Sequence, residues 1–315
     1  MRNDPELSVI IPCHHSDDGL MWQLEALLHQ RSAPPREILL CDNGGNDDLE
    51  ERLRELGPTG DDVTVRLIDA REHPGAAYAR NRGIGESLAP LLAFCDDDDL
   101  VHPNWCRRAV AMLTEHPVVS GGIVVMDDVE FAALGPAGRK EALEARTEES
   151  PARPAGRGSI GPALMGGNFA AHRDALLKVG GFDAALVRGG EDNDLAYRLQ
   201  HAGIPIVDAG GMSIIYARPS DARHRVRVRR QAGRSLAEVA AARDAWGEAP
   251  EFRHPPLIEL VKSAGALARM ATGAKQRDWL GGVDRVATAW GLSEGWLRHR
   301  VRRVPVRSEV GVGLE

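Results

Sequence analysis

Four consecutive carboxylates, Asp96 to Asp99, follow an apolar run at residues 91–95. An apolar run that ends in charged residues is typical of a buried strand that delivers polar groups to the edge of a sheet. Carboxylates this close together repel one another, which raises their pKa values unless a cation lies among them. Hard divalent cations bind oxygen ligands of this kind. The pattern therefore predicts a metal site, and the alternative is an acidic turn that caps the helix beginning near Pro103.

Alternating strands and helices must position these carboxylates. Short apolar, β-branched runs predict strands at residues 7–12, 37–42 and 63–68, and amphipathic patterns predict helices at 20–30 and 49–56, with another that opens at 75–83. This alternation predicts a doubly wound parallel sheet, in which ligands bind outside the carboxyl ends of the strands. The loop at 13–16, Asp42 and the four carboxylates are therefore expected in one crevice.

Composition excludes several classes of protein. The 315 residues carry a formal net charge of −7, whereas general nucleic-acid binders have a basic surface, so no nucleic-acid partner is expected. The chain has no apolar run long enough to form a transmembrane segment, and its N-terminus lacks the apolar core of a signal peptide, which predicts a cytoplasmic, soluble protein. The four cysteines have no C-x-x-C spacing and are expected to be reduced thiols.

Five motifs in order resemble those of the inverting family 2 glycosyltransferases of the GT-A fold, over residues 7–216. They are Ser8-Val-Ile-Ile-Pro12; residues 37–48 with Asp42; residues 75–83 with Ala79-Arg80-Asn81; Phe94 to Asp99, in which Asp96-Asp97-Asp98 matches the D-x-D motif; and Gly167-Asn168 followed by 179–183 and 190–195, the last with the Glu-Asp pair. Each motif alone is weak, but five in the same order are a strong signal.

Two departures from the family pattern limit what can be carried over. Cys13-His14-His15 replaces a Thr-Tyr-Asn-like sequence, so sugar and base contacts at these positions cannot be copied. The Gln-x-x-Arg-Trp motif of processive members is absent after Tyr216, which favours transfer of a single sugar.

The resemblance implies a Rossmann-like GT-A domain at residues 1–217, with a doubly wound, mixed and mostly parallel sheet. Its nucleotide-sugar half is expected at about 1–126 and its acceptor half at about 127–217, with a partly helical insertion at 131–159 at the mouth of the site. Residues 218–315 are then a basic flexible segment, rich in arginine up to Arg234, and a C-terminal helical extension.

The helical extension is expected at residues 235–246, 257–270 and 279–290. One face of the last helix carries Trp279, Leu280, Val283, Val286, Ala287 and Trp290. Such a face packs against the domain or against a second subunit, which would make a homodimer through the C-terminal helices. A membrane-surface role is the weaker interpretation, because the polar faces of these helices are not uniformly basic.

The activity that the resemblance implies is metal-dependent, inverting transfer of one hexosyl or N-acetylhexosaminyl group. The donor is expected to be a nucleotide-sugar, namely a UDP-sugar, and the acceptor a soluble small molecule, glycan or peptide. A sugar-phosphate nucleotidyltransferase is the alternative enzyme, but residues 13–19 lack its Gly-rich loop with Arg and Lys. A catalytically inert nucleotide-binding scaffold is the other alternative, and the intact acidic motifs argue against it.

The resemblance also assigns nucleotide and metal ligands. Mn²⁺ or Mg²⁺ would act as a Lewis acid on the leaving diphosphate. Asp98 is the first choice of metal ligand, Asp96 binds the metal or the ribose, and His224 is an additional metal ligand whose alternative is a solvated helix start. The remaining nucleotide-sugar contacts are Pro12, Cys13, His14, Asp42, Arg80 and Asp97.

Three of these residues have alternatives that the sequence leaves open. Asp42 would accept a hydrogen bond from the base, unless it is a buried capping residue. Arg80 would bind the base or the diphosphate, unless it is a surface charge on its helix. Asp192 is the expected general base with Glu191 as its nearest rival, unless both only cap the helix at 195–200.

Overall fold

A computed structural model describes residues 4–14, 18–46, 48–56, 59–148, 150–218, 220–271 and 278–315. The strands in these residues are β1 (Leu7–Cys13), β2 (Arg36–Asp42), β3 (Val63–Asp69), β4 (Leu91–Cys95), β5 (Leu100–Val101), β6 (Val118–Asp127), β7 (Arg153–Pro154), β8 (Asn168–His172) and β9 (Ile206–Arg218). The α-helices are α1 (Asp18–Leu28), α2 (Leu49–Glu55), α3 (Ala76–Glu86), α4 (Trp105–Leu113), α5 (Asp128–Ala133), α6 (Pro136–Arg146), α7 (Arg173–Lys178), α8 (Glu191–His201), α9 (Ala222–Ala242), α10 (Pro256–Ala271) and α11 (Trp279–Trp296).

One mixed sheet joins the nine strands of the described residues in the order β3-β2-β1-β4-β8-β6-β9-β5, with β7 paired to β9. β3, β2, β1 and β4 are parallel neighbours, and β6 is parallel to β9. β8 runs antiparallel to both β4 and β6. The doubly wound, mixed sheet is therefore confirmed. Its four parallel neighbours include β1, the strand that leads into the predicted site loop at residues 13–16.

Helices cover both faces of this sheet, because alternate residues of each strand point to opposite sides. On β1, Val9 and Ile11 belong to an apolar cluster with α1 and α4, whereas Ile10 belongs to a second cluster with α3 and α8. Trp105 is fully buried in the first cluster, and its indole nitrogen donates to Asn168 Oδ1 at 2.8 Å. Helices of both layers therefore pack against the strands whose carboxyl ends are expected to form the binding site.

The predicted insertion is partly helical, with α5 and α6 packed over the β6–β9 end of the sheet. Leu143 and Phe131 join a third apolar cluster with Met126 and Ile215. The insertion therefore covers one face of the sheet at its β6–β9 end, away from β3, β2 and β1.

The C-terminal extension begins earlier than the sequence predicts. α9 starts at Ala222, thirteen residues before the expected position, and Asp221 caps it by accepting from the His224 amide at 2.6 Å. Most of the basic segment is therefore helical, and its flexibility stays a prediction. No helix in the described ranges has both the length and the apolar character needed to cross a bilayer.

Candidate active site

A cavity of about 490 Å³ lies at the carboxyl ends of the parallel strands. It brings together eight of the predicted site residues, which are Pro12, Cys13, His14, Arg80, Asp96, Asp97, Asp98 and Glu191. Its other lining residues are Asn43, Pro74, Gly75, Ala76 and Val187. A larger cavity, of about 630 Å³, lies near the opposite end of α8 and is lined by none of the predicted residues.

Arg80 lies at the centre of the site and bridges two carboxylates from different motifs. It is 3% exposed, and its Nη1 donates to Glu191 Oε1 at 2.8 Å while Nη2 donates to Asp96 Oδ1 at 2.7 Å. Burial opposes the charge of Arg80, but the two carboxylates outweigh burial and hold its pKa above the ordinary value. The alternative of a surface helix charge is therefore wrong for Arg80.

Negative charge exceeds positive charge among the lining residues, because Arg80 faces four carboxylates: Asp96, Asp97, Asp98 and Glu191. Behind them, burial raises the pKa of the Asp99 carboxyl, and the charge of Asp96 raises it further. Burial also raises the pKa of Glu191, although Arg80 opposes this effect. These oxygen groups repel one another, so the site favours the binding of an additional cation.

A divalent cation fits this set of oxygen ligands. No group of three acidic, histidine or cysteine side chains among the described residues could hold a metal ion by itself. Magnesium in nucleotide enzymes is commonly bound by one or two carboxylates together with substrate phosphates. Asp98, which is exposed at the cavity, and Asp96 suit that mode of binding.

The loop after β1 is fixed to the acidic motif. The His14 amide donates to Asp97 Oδ2 at 3.0 Å, while His15 lies outside the described residues. Burial raises the pKa of the Cys13 thiol well above its ordinary value, so this side chain is neutral at physiological pH. Pro12 and Cys13 therefore form an uncharged part of the cavity wall, and the negative charge of the cavity comes from the acidic residues.

Asp42 lies beside the cavity and shapes its own loop. Its carboxylate accepts from the amides of Gly44, Gly45 and Asn46 at 3.0–3.3 Å and from the Asn46 side chain at 2.7 Å. These contacts support the capping alternative, and the contact of Asp42 with a base stays a prediction.

Asn43 is a site residue that the sequence analysis missed. Its Oδ1 accepts from the Gly75 amide at 2.6 Å, and its Nδ2 donates to the His73 carbonyl at 2.8 Å. It thereby joins the loop after β2 to the start of α3, where Gly75 has a φ of 108°. Its position directly after a strand that ends in Asp42 was the available signal.

The first turn of α8 carries both candidate catalytic carboxylates. Gly189 and Gly190 precede it with φ angles of 103° and 93°, which only glycine adopts readily. Glu191 lines the cavity, whereas Asp192 is not among the lining residues. The Asp192 Oδ1 accepts from the Asn193 amide at 2.7 Å. Neither carboxylate caps the helix, because the cap residue is Gly190 and no side-chain cap bond forms.

A buried ion-pair network holds α8 from behind. Asp194 is fully buried and accepts from Arg198 Nε at 2.8 Å and from Arg243 Nε at 2.5 Å. Arg243 also donates to the buried Asp183 at 2.7 Å. These contacts fix the helix while its first turn remains at the site.

Gly166 and Gly167 are a second feature that the sequence analysis did not recognise. A Cβ on Gly166 would lie 3.1 Å from the Asp192 Cβ, and a Cβ on Gly167 would lie 2.4 Å from Asp96 Oδ2. This glycine pair therefore passes between the acidic motif and the first turn of α8. Gly167 belongs to the fifth sequence motif, but its steric role follows only from the tertiary contact.

We expect Gly167→Ala to weaken nucleotide binding by about tenfold or more, because the added methyl group must displace the Asp96 carboxylate from Arg80. Calorimetry with a nucleoside diphosphate and Mn²⁺ measures this loss. Gly156→Ala is the matched control, since a Cβ there meets nothing within 4 Å. Equal affinity in the two variants would contradict the prediction.

His224 does not belong to the described lining of this cavity. It lies in the exposed first turn of α9, eleven residues before Ser235, which packs against Gly190. Eleven residues of helix span about 16 Å. A metal contact for His224 therefore requires movement of α9 and stays a prediction.

Comparison with known families gives two matches. Residues 8–179 match the family described as "Glycosyl transferase family 2", and residues 153–221 match "N-terminal domain of galactosyltransferase". The first match covers more than half of the chain and contains β1, the acidic motif and the glycine pair. The second contains the glycine pair and the first turn of α8.

Curated relatives and solved structures agree with these matches. The chain is 27% identical over 188 residues to "Glycosyltransferase AglE" of Haloferax volcanii (59% of each chain) and 26% identical over 214 residues to "Glucosyl-dolichyl phosphate glucuronosyltransferase" of the same organism (64% of this chain, 63% of the relative). It thus spans about three fifths of the length of these relatives.

A mannosyltransferase from Pyrobaculum calidifontis, solved in complex with GDP-Man and Mn²⁺, superposes with a TM-score of 0.64 at 18% identity. The superposition covers 96% of this chain and 89% of the mannosyltransferase. Together with the sheet order, this likeness confirms the predicted GT-A fold.

Proposed function

Because this chain belongs to glycosyl transferase family 2, we propose that it is a metal-dependent, inverting glycosyltransferase that moves one sugar from a nucleotide-sugar to a hydroxyl acceptor. The observation that carries the proposal is the cavity in which Arg80 bridges Asp96 and Glu191 beside the exposed Asp98. A nucleotidyltransferase is disfavoured because residues 13–19 lack its Gly-rich loop with Arg and Lys, and an inert scaffold is disfavoured because the acidic residues are intact.

The acidic motif is the proposed diphosphate end of the site. Asp98 and Asp96 would hold Mn²⁺ or Mg²⁺, and the bound ion would supply Lewis-acid stabilisation of the leaving diphosphate. Arg80 orients the Asp96 carboxylate through its 2.7 Å contact. Pro12, Cys13, His14 and Asp97 would then form the wall against which the nucleotide lies.

Asp192 is the proposed general base. Inverting transfer is a single displacement, so the acceptor hydroxyl attacks C1 opposite the diphosphate and loses its proton to a carboxylate. Glu191 is less suited to this role, because its Oε1 accepts from Arg80 at 2.8 Å and its side chain is only 13% exposed. Asp192, beside the glycine pair, has no arginine among its hydrogen-bond partners in the described residues.

The donor and the acceptor are narrower proposals. We propose a UDP-sugar that delivers a hexosyl or N-acetylhexosaminyl group, and GDP is the competing nucleotide because the mannosyltransferase neighbour was solved with GDP-Man. We propose a soluble acceptor. A lipid-linked phosphate is the competing acceptor, because one relative is named for transfer to glucosyl-dolichyl phosphate.

We expect nucleotide binding to require a divalent ion held by Asp98. Calorimetry should show UDP or GDP binding with Mn²⁺, and a loss of about tenfold or more after chelation or in Asp98→Asn, because the diphosphate then meets uncompensated carboxylates. Asp61→Asn, which changes an exposed carboxylate in the turn before β3, is the control. An affinity that changes neither with chelator nor in Asp98→Asn would overturn metal dependence. A separate assay, hydrolysis of a panel of nucleotide-sugars, identifies the donor.

A further inference from the structure

The three C-terminal helices form a bundle, and the arginine-rich start of α9 and the tryptophan-containing start of α11 lie at one end of it. α9 and α11 run in the same direction, since Asp284 pairs with Arg225 at 2.5 Å while further along both helices Gly295 lies against Ala237. α10 returns antiparallel, and Gly282 of α11 lies against Leu267 and Met270 near its end. The first turns of α9 and α11 therefore lie at the same end of the bundle.

Exposed apolar and basic side chains occur together at this end. Trp279 is 47% exposed, Leu280 42% and Val228 41%. Arg223 and Arg227 are exposed in the first two turns of α9, and Arg285 is exposed in the second turn of α11. We call these six residues the basic tip. An exposed indole and leucine at an end of the bundle that also carries exposed arginines indicate a surface that binds a partner.

Charge is divided sharply along the chain, and this division identifies the partner. Residues 221–315 contain 18 Lys and Arg against 11 Asp and Glu, a net charge of +7, although the whole chain has a net charge of −7. The remainder therefore carries −14. At the tip end itself, residues 221–230 contain five Arg against one Asp and residues 278–285 contain one Arg against two Asp, a net charge of +3. An anionic surface therefore attracts this end and repels the acidic residues 1–220, which favours one orientation.

We propose that the basic tip docks this protein on an anionic lipid surface, with Trp279 and Leu280 in the interfacial region and the arginines on the lipid headgroups. Trp is favoured at the membrane–water interface, and peripheral binding grows with buried apolar area and with basic charge. A second copy of the chain is a poorer occupant, because two tips of the same charge repel each other. The sequence alone disfavours this role, because the polar face of no single C-terminal helix is uniformly basic, and the tip combines residues of two helices.

The orientation of α9 determines how far the candidate active site would lie from the bilayer. His224 lies beside the tip, and Ser235, about 16 Å further along the same helix, packs against Gly190 before Glu191. Docking would therefore hold the cavity within a few nanometres of the bilayer. The proposal does not depend on the glycosyl transfer reaction.

Vesicle flotation of the full chain, without nucleotide, tests the proposal. We expect binding to vesicles of phosphatidylcholine with phosphatidylglycerol and little binding to phosphatidylcholine alone. The double variants Trp279→Ser/Leu280→Ser and Arg223→Glu/Arg227→Glu should each lower the partition coefficient about tenfold or more. The control is Trp290→Ser, which removes a similarly exposed tryptophan (42%) of α11. Trp290 lies about 16 Å along the helix from Trp279, and its ring contacts Arg230 of α9.

Three outcomes would overturn the proposal. They are equal binding to both kinds of vesicle, an equal loss of binding in Trp290→Ser, and a concentration-dependent dimer by light scattering that the Trp279 variant abolishes. Circular dichroism and melting temperature confirm that each variant is folded. The calorimetry of nucleotide binding contains no lipid, so failure of either proposal leaves the other measurable.

Discussion

Replacing Asp192 with asparagine should lower turnover by about a hundredfold or more while nucleotide affinity stays unchanged. General-base catalysis commonly contributes this much, because the attacking hydroxyl is a weak nucleophile until its proton is removed. The introduced amide is nearly isosteric with the carboxylate and can keep the contact to the Asn193 amide, so the first turn of α8 should remain in place. Steady-state kinetics and calorimetry on the same preparation separate the loss of turnover from any loss of binding.

Glu191→Gln is the informative comparison. Its carboxylate contacts Arg80, so we expect weaker nucleotide binding and a smaller fall in turnover than in Asp192→Asn. Collapse of turnover in Glu191→Gln with near-normal turnover in Asp192→Asn would transfer the role of base to Glu191. A shared loss of melting temperature without a kinetic difference would show that both residues serve only the helix.

Local sequence patterns predict those parts of the site that a single strand or helix with its adjoining loop forms. The strand that ends in Asp96 to Asp99 is visible because the apolar run and the acidic motif are adjacent in sequence. Arg80 was ambiguous for the opposite reason, since its partners lie 16 and 111 residues away. The glycine pair at 166–167 was missed because its small size matters only where Asp96 and Asp192 approach it.

The basic segment shows the same limit in the C-terminal extension. Closely spaced arginines predict a solvated, flexible segment when no acidic partner is adjacent in the sequence. In the structure Arg225 pairs with Asp284 and Arg230 pairs with Glu294, 59 and 64 residues later in the chain. These pairs, together with close packing of Gly233 against α11, support helical structure that local charge does not predict.

Arg80→Met should destabilise the fold by about 3–5 kcal/mol, because it leaves Asp96 and Glu191 crowded at a partly desolvated site without their shared cation. Chemical denaturation measures the free energy of unfolding. Arg82→Met is the control on the same helix, since Arg82 is 23% exposed and pairs with Glu86, and its loss should cost less than about 1 kcal/mol. The double variant Arg80→Met/Glu191→Gln should recover part of the loss, because one uncompensated charge is then removed.

The destabilisation by Arg80→Met should also depend on pH, in a direction fixed by Glu191. Burial, together with the charge of Asp192, already raises the pKa of this carboxyl, and Arg80 opposes the rise. Without Arg80 the folded-state pKa increases further, while the unfolded-state pKa stays ordinary. A carboxyl whose folded-state pKa is raised stabilises the fold fully below its unfolded-state pKa, and this stabilisation is lost as pH rises through its folded-state pKa. The loss of unfolding free energy in Arg80→Met should therefore be larger at about pH 8 than at about pH 5. Equal deficits at both pH values would mean that Arg80 acts mainly by packing, since its guanidinium also lies 5.6 Å from the Phe182 ring.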